Sequence, residues 1–448
     1  MEFELHPEAL KRMEELSNGL LQLVVAQPSA PDTSPAFTPD YHPIAKLSES
    51  DIIGFGPVSQ SIVDFAGNEV GRTFRHNGHE VGLKEDGFNS LRKLVSMIQR
   101  LPAFGETMST EFLTDTTFDW IRKLYTGEIK ENFPSHLVKA ADESVESFQI
   151  CIPLYRVFLQ HDLNIGDIKF QVLTRDMFDA WENSAKSVER TNAERYQEFL
   201  NRRRADLQGC AAVVVDVRAE RQRAVELARE CADDGASLLR FLSPANWDPT
   251  LRSYCAPVGQ ENIVRTAEFF LEEGQFTSLQ EGAIVKGPAH WILGEADLQK
   301  FSRSLKALSG LRLDHGNDFR KALYDALLIY SRNSTATQAS DKLVFILVAI
   351  EAMLIRNTSE PLQKNIGERM AFLIGKNIDE RKDIATNVAQ IYQVRSSFIH
   401  HGTLVREVEA LRNFMANAWT CFHTLLLNAA RFSSREELIV ALEDRKFA

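Results

Sequence analysis

Several features that would quickly assign a protein are scarce in this chain of 448 residues. It has five cysteines, Cys151, Cys210, Cys231, Cys255 and Cys421, scattered and odd in number. None is spaced C-x-x-C, which argues against a disulfide scaffold and against zinc or dithiol redox motifs, so they read as reduced thiols. Positive charge is also short, with 51 Lys and Arg against 62 Asp and Glu and a net charge of -11. That argues against a generally basic, nucleic-acid-coating surface, so any contact with RNA or DNA has to be local. No run approaches the roughly 20 apolar residues of a membrane span. The opening Met1-Glu-Phe-Glu-Leu-His6 lacks the basic and apolar regions of a signal peptide. The expectation is a cytoplasmic protein without membrane contact.

Nor is there a cofactor fingerprint. Gly54-Phe-Gly56 lacks the Lys-Ser/Thr of a P-loop and the strand-helix setting of a dinucleotide site. His76-Asn-Gly-His79 lies among turn residues with no third ligand nearby, and reads as an exposed turn. No metal or cofactor is expected. No repeat of 20 to 50 residues marks a solenoid.

The length itself implies two or three domains, because single cores seldom grow past roughly 250 to 300 residues. We expect an N-terminal helix and Pro/Ser-rich linker over 1–50, an α+β region over 51–310, and a helical bundle over 311–448. Residues 6–26 space Leu10, Met13, Leu20 and Val24 for a short helix, ahead of the Pro- and Ser-dense segment 27–43. Turn pairs between Asp51 and Leu83 predict small antiparallel strands, and helical spacing returns over Phe88–Leu101 and Phe118–Tyr125. Phe148–Phe158 and Ile168–Leu173 read as strands, with Pro153 marking an edge or a bulge. Met177–Arg204 reads as one long polar helix. Cys210–Val217 followed by Arg221–Ala232 is a strand-then-helix unit. Further strands are expected at Ile263–Phe270 and Gly282–Val285, and a helix at Asp297–Leu308. Arg202, Arg203 and Arg204, with Arg218, Arg221 and Arg223, form the one concentrated basic stretch. It offers either local affinity for RNA phosphates or a solvated helix face.

From Asn317 the strand patterns stop. Helices are predicted over Phe319–Tyr330, Asp341–Ile355, Leu362–Ile374 and about Asp379–His400, with Gly375 ending the third and Gly402 a left-handed cap on the fourth. The second is apolar nearly all round, as in a helix buried on most faces, which leaves its carboxylate Glu351 to be explained. The fourth carries Ile384, Val388, Ile391, Val394 and Phe398 as a stripe, with Arg395 and His400 off it. Five positions are about 7.5 Å of helical rise, so the pair cannot meet as i, i+4 neighbours but can border one phosphate-sized site. A helix C-terminus favours protonated imidazole, placing His400 for acid/base work near neutrality. Arg395 offers a cationic fork to phosphate oxygens, which Glu351 could aim. Two plainer readings stand beside this: His400 and His401 as simple C-caps, and Glu351 with Arg395 as a structural ion pair.

Three segments in order, Ala349-Ile-Glu-Ala-Met-Leu354, Glu368-Arg-Met-Ala-Phe-Leu-Ile-Gly375 and Ile391-Tyr-Gln-Val-Arg-Ser-Ser-Phe-Ile-His-His-Gly402, resemble the Apea-like branch of the HEPN domains. The resemblance covers about 317–432. It implies a multidomain chain in which an α+β N-terminal region precedes an all-α HEPN helical bundle that forms a homodimer. Many members of that family are metal-independent endoribonucleases, often of toxin or anti-phage defence systems, that leave 2′,3′-cyclic phosphate and 5′-hydroxyl ends. Carried over, Arg395 stabilises the scissile phosphate of RNA, His400 transfers protons and Glu351 orients Arg395. Ser396 stands where the family often has Asn, Asp or His, and His401 is a supporting group or a cap. The alternative within the resemblance is a non-catalytic bundle for dimerisation and RNA or nucleotide binding.

Overall fold

The computed structural model describes residues 5–28, 60–186, 190–261, 263–273, 275–284, 290–314, 316–357, 359–401 and 408–446, without the side chains of 190–193, 195, 264–265, 283–284 and 399–401. Most of the expected Pro/Ser-rich linker, Gly54-Phe-Gly56 and the cap Gly402 lie outside them. The described residues combine a mixed α/β N-terminal region with a helical C-terminal region. They divide into two compact units, one of 1–148 with 216–227 and the other of 149–215 with 228–448. That division differs from the boundaries expected at residues 50 and 310. The physical reason is that one apolar cluster runs without a break from Leu154 to Leu442, so the second sheet and the C-terminal helices share a core.

The first unit holds α1 (Pro7–Leu21), β1 (Val25–Pro28), β2 (Gln60–Val63), β3 (Glu69–His76), β4 (His79–Lys84), α2 (Asp86–Gln99), α3 (Pro102–Thr107), α4 (Thr110–Thr126) and α5 (Phe133–Ser144). Its antiparallel sheet has the order β1-β4-β3-β2. The hairpin between β3 and β4 turns on Asn77 and Gly78, both at positive φ (49° and 75°), the pairing that two-residue hairpins require. His76 and His79 pair across it, and among the described residues no cluster of side chains fit to hold a metal is found. Gly82 admits no side chain, because a Cβ there would lie 2.1 Å from the Arg72 carbonyl oxygen. Phe74, Val81 and Leu83 turn inward against Phe88, Leu91 and Phe118, and the core closes around Trp120 and Phe133. Ser109 and Asn132 cap α4 and α5 through their side-chain oxygens.

Next along the chain come β5 (Glu146–Leu159), β6 (Leu163–Ile165), β7 (Ile168–Val172), α6 (Arg175–Ala185), α7 (Arg190–Leu207), β8 (Cys210–Ala219) and α8 (Arg221–Phe241), which belong to the second unit except at 146–148 and 216–227. There follow β9 (Val264–Glu272), β10 (Gln275–Ile284), β11 (Trp291–Leu293), α9 (Glu295–Lys300) and α10 (Ser302–Leu313). The sheet order is β11-β5-β8-β7-β6, with β11 parallel to β5 and β7 antiparallel to β8. Among the described residues, β5 pairs with β11 at Val157–Leu159. Upstream of it Pro153 accepts a bond from Val258 through its carbonyl, and Arg156 takes φ +52°, an irregularity of the kind Pro153 announced. Gly235 of α8 lets that helix rest on Ile168 and Phe170. The expected helix over 177–204 is two helices, as is that over 297–308, where Phe301 leaves helical geometry (φ −92°, ψ 5°). β9 and β10 form a separate two-stranded ribbon.

The helical part consists of α11 (Asp318–Ser331), α12 (Ala339–Leu354), α13 (Leu362–Ile374), α14 (Ile378–His401), α15 (Val408–Leu427) and α16 (Arg435–Asp444). α12 is not buried all round: Val344 and Val348, one turn apart, are 39% and 43% exposed, whereas Lys342 is 2% exposed. Among the described residues no helix is long and apolar enough to cross a membrane.

Candidate functional site

Glu351 lies in the last turn of α12, and α14 carries the residues that meet it. Asn377 starts α14 by accepting from the Glu380 amide while the Glu380 carboxylate accepts from the Asn377 side chain and the Lys376 amide. Ile384, Val388 and Ile391 are buried at i, i+4, i+7, which fixes the rotation of the helix about its axis. Val394 packs half-buried against the same core. Gly367 of α13 lies against Ala385 and Val388 of α14, where even an added Cβ would make ordinary contact at 3.5 Å. With the stripe inward, Tyr392 and Arg395, three apart, turn together toward α12.

There they converge on one atom. Glu351 Oε1 accepts a 2.8 Å hydrogen bond from the Tyr392 hydroxyl and a 3.1 Å bond from Arg395 Nη1. The guanidinium carbon lies 5.7 Å from the centre of the Tyr392 ring. Arg395 and Glu351 keep 28% and 22% of their side-chain surface exposed, so the pair opens on solvent. Burial, then the negative charge of Glu351 and the bond to it, push the Tyr392 phenol well above its ordinary range. Tyr392 is therefore a hydrogen-bond donor at neutral pH and not a base. Among the described residues the Arg395 guanidinium gives a single hydrogen bond, from Nη1, and the rest of its fork can address an anion.

The structure thus brings Glu351 and Arg395 together across 44 residues of sequence. Ser396 is exposed beside them. The backbone of His400 and His401 forms the last turn of α14, and their side chains lie outside the described residues. The three arginines proposed for RNA contact sit on α7, away from a common face. Arg204 donates to Asp179 (2.6 Å) and Glu182 (2.9 Å), and those bonds hold its pKa above the usual value. Arg202 reaches Glu198 at 3.0 Å, and Arg203 stacks at 5.4 Å over Phe199. Arg223 donates to Glu226 and to the Gly105 carbonyl.

Sequence reasoning missed Tyr392, although its place three residues before Arg395 was a usable signal. It also missed Arg369, which is 2% exposed and donates to Glu360, Glu443 and the Leu354 carbonyl. Comparison of the chain with protein-family models, curated proteins and solved structures finds no match.

Proposed function

We propose that the C-terminal helices act as a HEPN-type, metal-independent endoribonuclease in which Arg395 and His400 treat the phosphate and Glu351 positions Arg395. The observation that carries this reading is the Glu351 carboxylate accepting from both Arg395 and Tyr392, which holds at a solvent-facing edge a guanidinium that gives one hydrogen bond among the described residues. In the proposed reaction the ribose 2′ oxygen bonds to the adjacent phosphorus as its proton leaves to a base. The P–O5′ bond breaks and the 5′ oxygen takes a proton, giving a 2′,3′-cyclic phosphate and a 5′-hydroxyl. Arg395 offsets the charge that gathers on the phosphoryl oxygens, and His400 serves the proton transfers. A homodimer through the bundle would set two such motifs face to face, with the N-terminal region as sensor or regulator of a cytoplasmic toxin or defence effector.

Purified protein is to be incubated with total RNA in EDTA and the ends mapped, alongside Arg395→Ala and His400→Ala. The reading expects cyclic-phosphate ends and a loss of about 10² to 10⁴ in rate for either variant. Intact RNA with wild type, or equal cutting by the variants, overturns it. A second reading, a non-catalytic bundle that binds RNA or a nucleotide, is favoured by one fact: the same contacts suit a structural ion pair, with Glu351 Oε1 held by two donors. RNA retained but uncut by the wild type selects it.

A further inference from the structure

A cavity in the second unit is lined by Arg156, Arg252, Ser243, Ser253, Tyr254, His290 and Trp291, with apolar residues between them. Its walls come from the irregular stretch of β5, the segment between α8 and β9, and the start of β11. The described residues that line it include two guanidinium groups, an imidazole and two serines, and no carboxylate. In a chain of net charge -11 this is an unusual concentration of one sign.

More positive charge stands behind the wall. Lys342 Nζ donates to the carbonyl of Leu251 (2.9 Å) and that of Ala245 (3.3 Å), both lining residues. Arg240 Nη1 donates to the carbonyl of Cys255, a third lining residue, at 3.0 Å. Burial lowers the pKa of Arg240, Arg252 and Lys342 alike, and the charge of Arg252 helps bring Lys342 down to about 8. Asp233 and Asp248 are the carboxylates nearest in electrostatic effect, beside Arg240 and Lys342 respectively. Arg252 on the wall and Arg240 and Lys342 behind it put positive charge on the carbonyl-bearing segment that shapes the cavity, a field that favours an anion there.

The lining is built, not incidental. Arg252 is 5% exposed, its Nε donating to the Thr335 carbonyl at 2.9 Å and its guanidinium carbon 5.2 Å from the Tyr254 ring. Ser243 and Ser253 each accept a backbone N–H, from Ala245 and Cys255, which leaves each hydroxyl its own proton to donate. Arg156 holds φ +52°, a strained setting for a non-glycine residue and one that concentrates at ligand sites. The cavity holds about 460 Å³ of non-atom space, open solvent at its mouth included. That is room for a compact tetrahedral anion, and Trp291 and His290 bring flat rings to the same lining.

We infer that this cavity binds a phosphomonoester of mononucleotide size, its phosphate between Arg156 and Arg252 and its base at Trp291. The site is separate from the Glu351–Arg395 pair and does not depend on ribonuclease activity. Calorimetric titration of the full chain at low salt uses inorganic phosphate, AMP and adenosine as probes. AMP is expected to bind, phosphate more weakly, and adenosine not at all. Arg156→Gln and Arg252→Gln are each expected to weaken AMP by about tenfold or more, whereas Arg395→Ala retains it. Failure of both phosphate probes, adenosine binding as tightly as AMP, loss of binding in Arg395→Ala, or wild-type affinity in both glutamine variants with unchanged circular dichroism would overturn the inference.

Discussion

Replacing Arg369 by Met keeps most of the volume of a buried side chain and removes the charge on which two acidic residues depend. Arg369 Nη1 bonds Glu360 Oε2 at 2.7 Å and Nη2 bonds Glu360 Oε1 at 3.0 Å, a bidentate pair, while Nη2 also reaches Glu443 at 2.8 Å. Nη1 further satisfies the Leu354 carbonyl at 2.6 Å, at the end of the helix that carries Glu351. Breaking a buried pair from one side costs about 3–5 kcal/mol. The lower end applies, because Glu360 and Glu443 are 13% and 31% exposed and Arg356 still serves both.

The bonds from Arg369 hold the Glu360 carboxyl at about 2, against an ordinary 4.5. A depressed carboxylate contributes stability above its unfolded pKa and loses it as pH falls through the folded value. At roughly 1.4 kcal/mol per pH unit the contribution has a ceiling of about 3 kcal/mol, lowered by solvent screening. It is complete at pH 7 and fades between pH 4.5 and 2. Thermal unfolding followed by circular dichroism is expected to put Arg369→Met about 3–5 °C below wild type at pH 7, with a clearly smaller gap near pH 3. A variant within about 2 °C of wild type at pH 7, or a gap independent of pH, would refute the reasoning.

Lys342, at about 8, lies below its ordinary 10.5, so the unfolded chain binds more protons between these values and stability rises as pH climbs from 8 to 10.5. Thermal scans at pH 7.5 and 10 are expected to show Lys342→Met losing that gain, because the orphaned Ala245 and Leu251 carbonyls do not titrate. Burial pushes the Cys255 and Cys421 thiols up to about 12 and Cys151 to about 11. A disulfide reagent at pH 8 should therefore label Cys255 and Cys421 only after denaturant is added, and prompt labelling of these two in the native protein would contradict the burial.

Local pattern determined much of this protein. Asn77-Gly78 places a hairpin because few other pairs accept two positive φ values. Ile384, Val388 and Ile391 orient α14, and the Asn377–Glu380 box starts it. The hexapeptide Arg395-Ser-Ser-Phe-Ile-His400 could be picked out as a candidate site from spacing and charge. What tertiary structure decided involves partners distant in sequence. That Lys342 is buried while Val344 and Val348 face out follows from carbonyls that residues 245 and 251 offer, and periodicity on α12 carries no trace of them. The meeting of Glu351 with Tyr392 and Arg395 spans 41 and 44 residues. The cationic cavity draws on β5, the segment after α8, and β11. A sequence states the charge each residue carries; which charges must share a space depends on how the helices and strands pack.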